Sequence, residues 1–198
     1  MKTRMKKVIV LCILNVLFGI SLFTILPSAR AWVGLGIKWP SNSSVYDAHL
    51  LNSTWVSIVD FGRTQWNNVT PSPWAWYRND TSNNDVKLVY IDGPGGTAGQ
   101  TEYSFSGANM TGFIMKFESG EDWYLISGPT PPIGSGQIDA RSVAAHEFGH
   151  ALGLNHTQAT YCPNNSTKAT MCLGNNPGTT YKRSLESDDR NGLNSLYP

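Results

Sequence analysis

His146-Glu147-Phe148-Gly149-His150-Ala151-Leu152-Gly153-Leu154-Asn155-His156 has the form H-E-x-x-H-x-x-G-x-x-H, and the rest of the chain reads outward from it. On an α-helix, positions four apart lie on one face, so His146 and His150 project together and can share one metal ion. Glu147 lies beside them, close enough to act on a water held there without being a ligand. Gly153 comes one turn after His150, and glycine takes the left-handed conformation that stops a helix at low cost. The chain can then turn and return His156 as a third nitrogen ligand. Three neutral imidazoles with one open position describe a catalytic zinc site. A buried structural histidine accounts for one His, not for three at this spacing.

The flanks fit this reading. Asp139 is placed to cap a helix over 140–152, whose apolar sides are Val143, Ala144, Phe148, Ala151 and Leu152. Met171 follows in Ala169-Thr170-Met171. A last helix starts near Ser187, a cap candidate, with Asp188 and Asp189 at its positive end and Leu193, Leu196 and Tyr197 as its buried stripe. Towards the N-terminus, Gly34 to Trp39 reads as a first strand. From Val45 to about Trp66 the residues Ala48, Leu51, Trp55, Ile58, Val59 and Trp66 follow helical spacing. Strands are expected at Trp74–Tyr77, Val86–Ile91, Glu102–Phe105 and Gly112–Phe117. Trp123–Ile126 is expected to pack beneath the active helix, and Gly128–Gly136 is a loop rich in Gly and Pro.

The chain has 198 residues, enough for one domain with a real core, and a formal net charge of +1, which points to no nucleic-acid partner. Residues 1–31 read as an export signal. Lys2, Arg4, Lys6 and Lys7 form a basic start, an apolar run follows, and Ala29-Arg30-Ala31 offers a cleavage site before Trp32. The apolar run is long for a signal, so retention of residues 8–26 as a membrane anchor is the alternative. The expected location is therefore extracellular, with no stable membrane association once the signal is removed. Cleavage leaves Cys162 and Cys172, which an oxidising compartment favours as a disulfide, the alternatives being free thiols or metal ligands.

His146 to His156, with Met171 downstream, resembles the metzincin metallopeptidases and their Met-turn. The segment Val143–Leu154 and the stretch Leu185–Tyr197, with its Asp-Asp pair and Gly192, look like the matrixin (matrix-metalloproteinase-like) branch. The resemblance is specific over about residues 139–198 and architectural over 33–126. It implies an α+β zincin fold: a twisted, mostly parallel mixed sheet with a long N-terminal helix, an active-site helix and a C-terminal helix. Residues 32–198 would form one metzincin-like catalytic domain, a monomer. It implies a zinc endopeptidase acting on protein or peptide substrates. His146, His150 and His156 would be ligands of one catalytic Zn2+, Glu147 the general base, and Met171 a packing floor rather than a ligand. Calcium is common in the family, with Asp92 and Asp122 as candidates here. The family often has Tyr-Pro after the Met, where this chain has Cys172-Leu173-Gly174, so substrate preference does not carry over by analogy. The competing function is a non-catalytic zinc-binding extracellular module, against which Glu147 argues, since a pure binding site needs no base.

Overall fold

The computed structural model describes residues 32–128, 132–158, 162–174 and 176–198. The expected export segment, residues 1–31, lies outside them, as does part of the Gly/Pro-rich loop.

Strand β1 (Val33–Gly34) pairs antiparallel with β9 (Leu154–Asn155), which places the start of the domain beside the third histidine of the motif. The expected strand from Gly34 to Trp39 ends early, because Gly36 takes a φ of 80° and turns the chain out of the pairing. The helix expected from Val45 also starts later. Ser43–Tyr46 is a strand, β2, parallel to β3 (Ala75–Arg78). Helix α1 runs Ser53–Asn67, capped by the Asn52 side chain, which accepts from Trp55 N at 3.1 Å. Helical spacing holds only from Trp55 onward. Tyr46, upstream of the cap, is buried by standing edge-on to Phe148 at 5.4 Å, as a strand residue on a sheet face.

Strands β4 (Asp85–Val89) and β6 (Asn109–Glu118) are parallel, and β5 (Gly99–Ser106) returns antiparallel on β6. A bridge between Asp47 and Asp85 joins the two sheets in the order β3-β2-β4-β6-β5. Strand β5 is the edge. Strand β4 stops at Val89 rather than Ile91, because Ile91 N–H turns to the Glu118 carboxylate at 2.7 Å. A short parallel pair, β7 (Trp123–Tyr124) and β8 (Ile138–Asp139), leads into helix α2 (Ala140–Ala151).

Helices α1 and α2 pack on each other, with Trp66 Nε1 donating to Ala145 O at 2.8 Å. Trp39, Trp76, Phe113 and Phe148 fill the space between α2 and the sheet. Their edge-on contacts, Trp39 to Trp76 at 6.2 Å and Trp76 to Phe113 at 5.6 Å, suit rings with negative faces and positive edges. Helix α3 (Ser187–Leu196) is capped by Glu186, not Ser187, through a reciprocal box with Asp189. Tyr197, just beyond it, donates its hydroxyl to Leu152 O at 2.7 Å and so fastens the chain's end to the end of α2. Among the described residues no helix is long and apolar enough to cross a membrane.

Candidate metal centre

Helix α2 begins where Asp139 Oδ2 accepts from Ser142 N at 2.9 Å. Arg183 grips the same buried carboxylate with two donors, at 2.8 and 2.6 Å, which fixes the direction of the helix. The helix then carries His146, Glu147 and His150 into a cleft. Gly153 stops it at φ 100°, and a Cβ there would lie 2.3 Å from Ile37 O, so only glycine fits. The chain turns at this point and β9 delivers His156.

The three Nε2 atoms lie 3.2 Å from one another in each pairing. His146 Nδ1 stands 2.6 Å from Thr170 O and His150 Nδ1 2.8 Å from Leu154 O. Carbonyls only accept, so both Nδ1 atoms carry the proton, and both Nε2 atoms present lone pairs. Lone pairs facing one another at this distance repel unless a cation lies between them. A tetrahedral zinc with bonds of about 2.0–2.1 Å holds its ligand atoms roughly 3.3–3.4 Å apart, so this donor set fits such an ion. Burial, with the charge of His150 second, drives the His146 pKa well below its ordinary value, and burial pushes His150 down to about 4. Both rings are thus held in the neutral form that a metal requires. Among the described residues this is the one group of three or more His, Cys, Asp or Glu side chains whose ligand atoms converge.

Glu147 is buried on the same helix face, and Thr101 Oγ1 on β5 donates to its Oε2 at 2.8 Å. Burial pushes the carboxyl up to about 7, against the lowering effects of that hydrogen bond and of the Lys182 charge. The cleft encloses about 730 Å3 between β5 on one side and Leu173, Gly174, Asn176, Pro177, Thr179 and Lys182 on the other, with the histidines and Glu147 at its base.

Met171 is buried with its sulfur against α2 at Gly149, where an added Cβ would lie 2.2 Å from Sδ. Its carbonyl accepts from Thr157 N at 2.9 Å, next to His156. Beneath it, Asp189 accepts from Thr170 N at 2.8 Å and Met171 N at 3.0 Å. Cys162 and Cys172 form a disulfide that braces the chain immediately after Met171.

The remaining candidates lie elsewhere. Asp92 accepts from Thr97 N and Oγ1, and Asp122 accepts from Gln137 Nε2. Neither belongs to a convergent group of three or more such ligands among the described residues. The fourth histidine, His49, pairs with Asp47 at 2.6 Å. Sequence reasoning passed over Thr101 and Lys182 and took Asp189 for a mere dipole complement. Thr101 carries no motif signal, since its role depends on β5 meeting α2. Asp189 had one signal, its place three residues after Glu186 in a capping box.

The matrixin family profile matches residues 55–198. Mouse matrix metalloproteinase-25 is 38% identical over 107 residues, covering 54% of this chain and 15% of that protein. Soybean (Glycine max) metalloendoproteinase 1 is 31% identical over 107 residues, covering 54% of this chain and 30% of that protein. Human matrix metalloproteinase-20 is 26% identical over 175 residues, covering 81% of this chain and 32% of that protein. The chain thus spans less than a third of the length of each of these three relatives. The profile takes in α1 from Trp55, the sheet from β3 onward, the three histidines and α3, and on that match the chain belongs to the matrixins.

Proposed function

We propose that this chain is an exported zinc endopeptidase with His146, His150 and His156 as metal ligands and Glu147 as general base. The observation that carries the reading is the triangle of Nε2 atoms at 3.2 Å with a buried carboxylate on the same helix face. A zinc ion held by these three histidines would supply Lewis acidity towards a substrate carbonyl and would ease the deprotonation of water near neutral pH. Glu147 accepts the water's proton and returns it to the leaving amine. Thr101 restricts the carboxylate to one orientation. Strand β5, the open edge of the sheet and one wall of the cleft, offers main-chain groups to an extended peptide. The basic and apolar stretch before Ala31, together with the Cys162–Cys172 bridge, supports export to an oxidising compartment.

Glu147→Gln tests the assignment. The variant should fold, keep one zinc per chain by atomic absorption, and lose about 10²–10⁴-fold in peptide turnover. A variant that loses zinc would make Glu147 a ligand rather than a base. Wild-type protein that binds zinc yet cuts no peptide would favour a zinc-binding module without catalysis.

A further inference from the structure

The wall of the cleft opposite β5 holds a buried lysine. Lys182, in the 3-10 turn Tyr181–Arg183, is only 6% exposed. Its ammonium donates to Cys172 O and to Gly174 O, the latter at 2.8 Å, both on the segment that follows Met171. An ammonium has three donors, and neither of these acceptors carries a charge. Lys168 is 8% exposed and donates to Asn176 Oδ1 at 3.2 Å. That bond fixes the orientation of the amide, and Asn176 Nδ2 is buried with no hydrogen-bond partner. None of the ion pairs among the described residues uses Lys168 or Lys182. Asn176 and Lys182 line the same cleft as the histidines and Glu147. Buried cations are ordinarily paired, because a charge out of water without a counter-charge is costly. Here two of them share one region; no described carboxylate touches Lys182, and Asp189 and Glu147 act on it only at longer range.

We infer that this end of the cleft receives an acidic side chain of the substrate, an aspartate or glutamate flanking the scissile bond. Its carboxylate would be met by Lys182 Nζ. Lys182 is then a specificity-determining residue, and the preferred substrates are acidic peptides. The inference rests on the peptidase reading for the word substrate, but the pocket's preference for a carboxylate can be measured without turnover.

The experiment has two arms. In the first, the zinc-loaded protein digests a mixed-sequence peptide library, and the cut products are sequenced. Asp and Glu should be enriched at one position beside the cut, at least about tenfold over Asn and Gln. Lys182→Gln should bring that ratio close to one, and Lys182→Arg should keep the acidic preference. In the second arm, two peptides differing only by Glu for Gln are titrated calorimetrically into the Glu147→Gln protein. The Glu peptide should bind at least about tenfold tighter, and this arm stands even if Lys182→Gln fails to fold. Equal cutting and equal binding of the paired peptides would overturn the inference. An equal loss on Glu and Gln substrates in Lys182→Gln would also overturn it, leaving Lys182 as a tie for the loop alone. No cutting with retained Glu preference in binding would sink the peptidase reading and leave the carboxylate pocket standing.

Discussion

Two buried carboxylates, Glu118 and Asp189, each gather backbone N–H groups from loops, yet burial and hydrogen bonding reach opposite balances at the two sites. Glu118 closes β6 on the outer side of the cleft. Its Oε2 accepts from Ile91, Asp92 and Gly93 at 2.7, 3.0 and 3.0 Å, and its Oε1 from Gly120 at 2.8 Å. These bonds, that from Gly120 foremost, pull its carboxyl down to about 2. Asp189 begins α3 behind the histidines and accepts from Thr170, Met171 and Glu186 at 2.8, 3.0 and 2.8 Å. Burial outweighs those three bonds and pushes its carboxyl up to about 6. The loop on the outer wall is organised by a carboxylate that is comfortable as an anion. The turn beneath the metal centre is organised by one held near the limit of what its donors offset. The second arrangement is the more fragile, and it adjoins the proposed ligand His146, because Thr170 O also takes the Nδ1 proton of that ring.

Asp189→Ala tests that fragility and carries the largest expected effect. It leaves three backbone N–H groups without their acceptor, each costing about 1–3 kcal/mol if it stays buried. Loosening Thr170 also frees the orientation of His146, and losing such outer partners typically lowers metal affinity about 10–100-fold. Thermal melting and a competitive zinc titration measure both effects. A variant that melts and binds zinc like wild type would show that the turn holds without its hub.

Reduction of the Cys162–Cys172 bridge comes next. The bonded residues are ten apart, and closing so short a loop is worth about 3 kcal/mol in the chain-entropy view. Among the described residues only the metal side of the cleft carries such a bridge, so reduction should lower the melting temperature and leave the loop around Glu118 as protected in hydrogen exchange as before. Native, unreduced protein beginning at Trp32 should show no labelled thiol, since Cys162 and Cys172 are its two cysteines. Two reactive thiols would remove the difference between the two sides.

The contrast also marks where sequence stops being informative. The histidine motif, the cap at Asp139 and the stop at Gly153 are local, and spacing marks them, whereas the Cys162–Cys172 pairing rests on the cysteines left after the export segment and on an oxidising compartment, with free thiols and metal ligands as the alternatives. The late start of α1 was written in Asn52, a good capping residue inside a window whose apolar spacing ran past it. Glu118 gathers N–H groups 25, 26 and 27 residues away, Thr101 acts across a sheet-to-helix contact 46 residues away, and Lys182 acts through a loop whose carbonyl directions no pattern encodes. Asp189 shows both limits. Its place in a helix's first turn was legible, but its burial beneath Met171 was not.

The two carboxylates should also respond to pH in opposite directions. The folded pKa of Glu118 lies below its ordinary 4.5, so its contribution is present above about pH 4.5 and is lost as pH falls towards 2. The folded pKa of Asp189 lies above its ordinary 3.8, so its contribution is complete below that value and is lost as pH rises through about 6. Denaturant unfolding of Glu118→Gln should therefore fall less steeply between pH 4.5 and 2 than that of wild type, while lying below it at pH 7. Parallel curves for the two proteins would show that the loop's N–H groups do not hold Glu118 as an anion.

The smallest effect concerns Asp188, which neighbours Asp189 but faces the other way. Its Oδ1 accepts from Trp32 N at 2.8 Å and its Oδ2 from Thr157 Oγ1 at 2.9 Å, so it ties the start of the described chain to the residue after the third histidine. Its place at the positive end of α3 favours the same charge. Cleavage after Ala31 would turn the Trp32 N–H into an ammonium without moving it, and a charge-assisted bond is stronger than a neutral one. The contact is only partly buried, which limits the gain to about 1 kcal/mol, or about 2–4 °C in melting temperature for a domain of this size. The position is otherwise prepared, since the Trp32 ring lies against Gly192, where an added Cβ would meet it at 3.3 Å. Protein beginning at Trp32 should therefore melt above protein beginning at Ala31, and Asp188→Asn should erase that difference while leaving the Asp189 contacts in place. Equal melting temperatures for the two termini would reduce Asp188 to a complement of its own helix, and Asp189 would then be the one member of the pair that organises the metal side.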